Sequence, residues 1–300
     1  MRDRLAAAMT VGGFRAGVTA AKLTPGLVAN GLVSPIGLTA SFANRERRAM
    51  IERHLRRINP SWGPRRLRGA VQAAFDSYAR YWIESMRLPG LPAHVVEAGL
   101  ETDGYEHVVA GLEQGRGVIL ALPHLGGWEW AGRWLADSGN RVTVVVEQVE
   151  PPELFDWFKR LRSKLGMTVV ALGHDAGRAI LQALGDNEIV CLLSDRYIAG
   201  GGVDVEFFGE RTTLPGGPAT LALRTGAPIL PTAVYYTHRP HGHLGVVRPP
   251  LPVERRGTLR QDVARVTQHL ADELEYLIRR APEQWHCFQP NWPSDPGYPH

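Results

Sequence analysis

The sequence predicts an α/β fold: a single domain with a largely parallel or mixed sheet flanked by helices, joined to a helical N-terminal part. Two observations carry this. Beyond residue 105, short β-branched runs at 118–122, 142–146, 168–171, 188–193 and 228–236 alternate with stretches of helical texture, the pattern of a sheet covered by helices. Before residue 100, the apolar residues recur at spacings of three and four instead. The reading therefore divides the chain into a helical part over 1–100 and an α/β core over 101–300. An apolar fraction of 44% is ordinary for a chain that buries a core of this kind.

In chain order, residues 5–43 are rich in Ala, Gly, Val and Leu but do not make a convincing membrane span. Arg15 and Lys22 interrupt the first half, and Pro25, Asn30 and Pro35 break the second. No charged start, apolar run and cleavage site line up as a signal peptide. A helix is expected over 44–58, ended by Asn59-Pro60. The next helix places Val71, Ala74, Phe75, Tyr78, Tyr81, Trp82 and Met86 on one face. Gly200-Gly201-Gly202 marks a loop before a strand over 203–208. The last helix is capped by Thr258, buries Val263, Val266, Leu270, Leu274 and Leu277, and ends at Pro282. The tail after Asn291 is expected to be irregular. Two cysteines, Cys191 and Cys287, make no disulfide framework and suit a reducing compartment.

The net charge of +4 hides an asymmetry. Residues 1–90 carry 15 Lys and Arg against 5 Asp and Glu, or +10; the rest carry 19 against 25, or −6. A basic N-terminal third points to an acidic partner. No nucleic-acid recognition motif is present, and broken apolar helices beside Arg45, Arg47, Arg48, Arg53, Arg56 and Arg57 suit an anionic membrane surface. A plain helical cap on the core is the alternative.

The chemistry concentrates in Leu122-Pro123-His124-Leu125-Gly126-Gly127-Trp128-Glu129. His124 falls just past the carboxyl end of the strand 118–122, the edge where open α/β sheets gather ligands. Two glycines permit a tight turn, and a helix starting near Trp128 puts Glu129 in its first turn. From there Glu129 can fold back on the imidazole, fix its tautomer and raise its basicity. A surface histidine and a dipole-stabilising glutamate are equally compatible with the spacing. Other chemistries fit less well. No serine has glycine two positions before it, so the nucleophile elbow of serine esterases is absent. There is no H-E-x-x-H, no paired cysteines and no G-x-G-x-x-G.

His124 and Glu129 make an H-x4-E that resembles the H-x4-D/E signature of glycerolipid acyltransferases. Further marks resemble the subgroup containing the late acyltransferases of lipid A synthesis. They are Leu193-Ser194-Asp195-Arg196, Gly202 to Gly209, Gly217 to Ala222, Thr225 to Pro231 and Ala281 to Trp285, in that order. Trp285 to Trp292 and the region of Glu147 resemble the branch that acylates phosphatidylinositol mannosides. The resemblance implies an acyl-CoA-dependent O-acyltransferase with no bound cofactor. Its donor would be a long-chain acyl-CoA, its acceptor a mannose hydroxyl of a mannosylated phosphatidylinositol, and its place the cytoplasmic face of the plasma membrane. Acylation of a lipid A precursor or a glycerol phosphate, and non-catalytic lipid binding, remain the alternatives.

In that reading His124 is the general base and Glu129 its supporting carboxylate. Glu147 would bond acceptor hydroxyls, or be a solvated strand end. Arg162, in the family's R-x3-G pattern, would hold a phosphate or polarise the thioester carbonyl. Asp195 and Arg196 would finish the polar rim or pair with each other. Arg224 would be a further contact on the helix 216–225. Trp128, Trp130 and Trp134 would line an acyl groove or belong to the core.

Overall fold

The computed structural model describes residues 26–147, 152–196 and 201–298. The expectations for Arg15, Lys22, Pro25 and Gly200 lie outside them. The described residues open with α1 (Gly26–Ala43), α2 (Arg45–Ile58) and α3 (Pro64–Arg87). Pro64 stands at the start of α3, where its missing N–H and fixed φ suit a helix N-terminus. Gly37 lets α1 approach α3 closely, because a Cβ there would strike the backbone of Asp76. Among the described residues no helix is long and apolar enough to cross a membrane.

After α4 (Ala93–Ala98) the chain builds one sheet from β1 (Leu100–Asp103), β2 (Val118–Leu122), β3 (Val142–Val146), β4 (Thr168–Ala171), β5 (Ile189–Leu193), β8 (Ile229–Tyr236) and β9 (His243–Val247). Its order is β1-β9-β8-β2-β5-β3-β4, parallel except where β8 meets β9. The helices between are α5 (Glu106–Glu113), α6 (Trp128–Asp137), α7 (Pro152–Lys164), α8 (Ala176–Gly185) and α9 (Gly217–Thr225). Phe208 and Gly209, both at positive φ, turn β6 (Val203–Phe207) into β7 (Glu210–Leu214) as a separate hairpin.

The side-chain alternation of a strand divides the core in two. Ile119 and Ala121 of β2 face one cluster, with α8, α9 and α10 (Leu259–Arg280). Val118, Leu120 and Leu122 face the other, with α4, α5, α6 and α7. Thr258 caps α10 in a reciprocal capping box with Gln261, as its sequence predicts. The expected strands are present. Three strands escape sequence reading: β1 is polar and mostly exposed, β7 is charged at its start, and Gly245 interrupts β9. The tail is irregular but pinned, with Trp292, Asn291 and Asp295 buried. The long helices are also tied to the C-terminal segment and to β9. His54 bonds Asp295, Ser77 bonds His286, and Glu84 bonds His243.

Candidate active site

β2 and β5 are parallel neighbours in register, Leu122 opposite Leu193. Two residues past those ends stand His124 and Asp195, so the pairing of the strands delivers them side by side. The turn after β2 is held by Gly126, at φ +62, whose N–H bonds the Gln284 carbonyl. A Cβ on Gly126 would strike the Val234 carbonyl oxygen, so only glycine fits. The Nδ1 of His124 lies 2.6 Å from Asp195 Oδ1, and its backbone N–H donates to Oδ2 at 2.9 Å. The Trp285 indole N–H donates to the same Oδ2 at 2.6 Å. Burial alone would push the Asp195 carboxyl up. The charge and N–H groups of His124, with the Trp285 N–H, hold it below the usual carboxylate range instead. An ionised acceptor assigns the proton to His124 Nδ1 and leaves Nε2 with its lone pair.

This corrects the expected dyad. Glu129 does sit in the first turn of α6, but it does not bond His124. It is buried between α7 and α3: Arg162 donates to it at 2.6 and 3.3 Å, and the Tyr81 hydroxyl at 3.2 Å. Burial, then the Glu129 charge, raises the Tyr81 hydroxyl well above its ordinary value. Arg162, expected to hold a phosphate or polarise the thioester carbonyl, does line the groove, where its guanidinium is paired with Glu129. Burial would lower its guanidinium, but Glu129 and then Tyr81 together hold it above its ordinary value.

Glu147 and Arg196 leave neighbouring strands and form an ion pair on the wall of a groove. Arg224 is exposed in the last turn of α9 and is not among the residues lining that groove, because its helix turns only Gly217, Pro218 and Leu221 toward it. Neither cysteine offers a thiolate. Cys191 is pushed up to about 12 by burial and then by Glu129, and Cys287 is raised by burial and then by Asp195.

The groove holds about 380 Å³, within the roughly 300–1,000 Å³ of small-molecule sites. Its walls include His124, Glu147, Arg196 and the aromatics Tyr78, Tyr81, Trp82 and Trp128. Behind it lies an apolar cavity of about 70 Å³. Trp128, Val145, Arg162 and Leu193 line both spaces, so the Glu129–Arg162 pair stands at their junction. Of the three tryptophans read as either acyl-groove wall or core, Trp128 and Trp134 line the cavity, whereas Trp130 is core, stacked on His243.

Sequence reading missed His286. It is buried on the groove wall, bonds Ser77 through Nε2 at 2.9 Å, and donates its backbone N–H to the His124 carbonyl at 2.7 Å. Burial, then the nearby His124 charge, lowers its imidazole to about 3, against a smaller opposing pull from Asp195. It is therefore neutral near pH 7. Tyr78 and Trp82, expected on one apolar face of their helix, are half-buried and form groove wall. Nothing in a helical repeat distinguishes a face that meets a core from one that meets a cleft.

Known proteins resemble this chain along most of its length. A family model described as bacterial lipid A biosynthesis acyltransferase matches residues 13–294. The chain belongs to that family. A phosphatidylinositol mannoside acyltransferase of Mycolicibacterium smegmatis is 36% identical over 228 residues, covering 75% of this chain and 73% of the relative. A protein of the same name from Mycobacterium tuberculosis is 38% identical over 228 residues, covering 74% and 70%. The match makes the protein an acyltransferase, the chemistry that a supported imidazole beside an apolar cavity suits.

Proposed function

We propose that this protein transfers a long-chain acyl group from its coenzyme A thioester to a mannose hydroxyl of a phosphatidylinositol mannoside. The His124–Asp195 pair opening onto the groove is the observation that carries the reading. His124 Nε2 takes the hydroxyl proton as the oxygen attacks the thioester carbon. The tetrahedral intermediate collapses, the C–S bond breaks, and the imidazolium returns its proton to the departing thiolate. Asp195 stabilises the imidazolium throughout. No enzyme nucleophile is needed. The groove takes the polar acceptor, with Glu147 and Arg196 on its rim. The cavity behind Trp128 takes the start of the acyl chain, and at about 70 Å³ it must widen to admit more. Three buried polar atoms on the groove walls, Trp128 Nε1, Arg196 Nε and His286 Nδ1, have no partner among the described residues. Substrate oxygens supply the partners that buried groups require.

Palmitoyl-CoA offered with a panel of acceptors, and read by mass spectrometry, tests the substrate. The expected product is a mannoside one acyl group heavier. Acylation of a lipid A precursor or glycerol phosphate in preference to the mannoside overturns the acceptor assignment. No transfer to any acceptor favours a lipid-binding role.

The reading also places the protein at the cytoplasmic face of the plasma membrane as a peripheral protein. On α1, Leu32, Ile36, Leu38 and Phe42 are exposed, opposite the side that Gly37 and Ser41 bury. Arg45, Arg47, Arg53 and Arg56 stand exposed on the next helix. An apolar strip flanked by cations suits an anionic bilayer surface. Vesicle flotation is expected to need anionic lipid and to weaken with salt. Equal flotation with neutral vesicles at low and high salt contradicts it.

A further inference from the structure

The C-terminal segment 285–298 is a strap across the back of the catalytic turn. Leu125 and Trp285 form an antiparallel bridge, and the His286 N–H meets the His124 carbonyl. From this strap the Trp285 indole N–H reaches Asp195 Oδ2, and the Asn291 side-chain amide donates to the Asp195 carbonyl at 3.1 Å. Trp285 is itself fixed, 3% exposed among the rings of His54, Phe207, Phe208 and Trp292. Asp295 anchors the far end of the strap. It accepts the backbone N–H groups of Asn291 and Trp292 and is held by Arg53, His54 and Arg57 of α2. A buried indole N–H needs an acceptor, and here that acceptor is the carboxylate bonded to His124.

We infer that the strap is the positioning element of the catalytic base, and that Trp285 sets both the orientation of Asp195 and the basicity of His124. The inference rests on the acyl-transfer reading above. Asp195 is fully buried, so no bulk water replaces a lost donor. Oδ1 takes the imidazole N–H, and Oδ2 takes the His124 backbone and the Trp285 indole. Other ionisable groups facing the pair are His286 and Cys287 on the strap, Arg196 beyond β5 and Glu147 beyond β3. Glu129 of α6, Arg162 of α7 and Tyr81 of α3 complete the surroundings. None of these bonds the Asp195 carboxylate. Trp285 is the only side-chain donor to it, besides His124 itself, among the described residues.

The sign follows. Removing the indole N–H concentrates the negative charge of Asp195 on the bond to His124. The imidazolium is then stabilised, His124 holds its proton to higher pH, and the free base is scarcer on the acid side. The loosened carboxylate also aligns the imidazole less well, which lowers turnover at every pH. Trp285 does not line the groove, so KM should move little.

The test exchanges the indole N–H for sulfur, with a benzothiophene side chain at position 285 that keeps the shape, alongside Trp285→Phe. The full chain is assayed for acyl transfer against pH. A hydrogen bond to a charged group corresponds to a loss of roughly 10- to 100-fold in kcat. The loss near pH 6 is expected to exceed that near pH 8 by about threefold or more. NMR titration of His124 in the same variants should move to higher pH, and it can be read without turnover. An unmoved titration, a loss equal at both pH values, or a loss confined to KM overturns the inference. His124→Ala in the same assay separates the two levels of argument. If it keeps its rate, the base assignment fails; if it is inactive while the sulfur isostere behaves as wild type, only the role of the strap fails.

Discussion

Replacing His124 with alanine lowers acyl transfer by roughly 10²–10⁴-fold, the range expected for loss of a positioned general base. The fold should survive, since His124 stands in the turn past β2 at the groove wall and its side chain is 17% exposed. Asp195→Asn is the sharper experiment. Asparagine keeps the size of aspartate, and its carbonyl oxygen can still accept from Trp285 and the His124 backbone. Its amide nitrogen then faces His124 Nδ1 and donates to it. The imidazole must place its own proton on Nε2, the atom that should receive the substrate proton. A loss of the same order, about 10²–10⁴-fold, is therefore expected from an exchange that changes almost no volume. Glu129→Gln, which leaves the His124–Asp195 bonds intact, should cost the rate far less when all variants are assayed at a temperature where they are folded. Equal rates for Asp195→Asn and wild type, or a larger loss from Glu129→Gln, overturn the assignment of Asp195 as the supporting carboxylate.

Breaking the Glu129–Arg162 pair from one side should produce the largest stability effect. Glu129 is 3% exposed and Arg162 8%, and they meet between α6 and α7 at the junction of groove and cavity. Glu129→Leu strands a guanidinium in apolar surroundings with only the Tyr81 hydroxyl and the ring of Phe158 nearby. The expected loss is about 3–5 kcal/mol in the free energy of unfolding by urea. The double exchange Glu129→Leu with Arg162→Met removes both charges and should recover most of that loss, because an apolar pair of similar volume needs no hydration. A loss below about 1 kcal/mol in the single variant, or no recovery in the double one, contradicts a buried pair whose partners neutralise each other. Activity need not follow stability. The restored double variant would show whether the pair does more than hold the two helices together.

Much of the framework was written in local residue order. The β-branched runs marked five strands, four of them because a strand buried on both faces needs continuous apolar residues, while β4 is a half-exposed edge strand. Thr258 marked the start of α10 because a capping side chain satisfies free N–H groups of the first turn, and the structure adds Gln261 as its reciprocal partner. His124 could be singled out as a candidate because it falls just past a strand end beside two glycines, although that spacing suits a surface histidine as well. The identity of its partner was not legible. Glu129, five residues on, was the nearest carboxylate in sequence, but the first turn of α6 carries it away toward Arg162 and Tyr81. Asp195 lies 71 residues from His124. It becomes the partner because β5, rather than β3, lies beside β2, and because the two strands pair in register with Leu122 opposite Leu193. Strand order and the path of the tail past Asp195 depend on packing between elements distant in sequence. Periodicity and capping act over a few residues and carry no trace of which distant element comes to rest alongside.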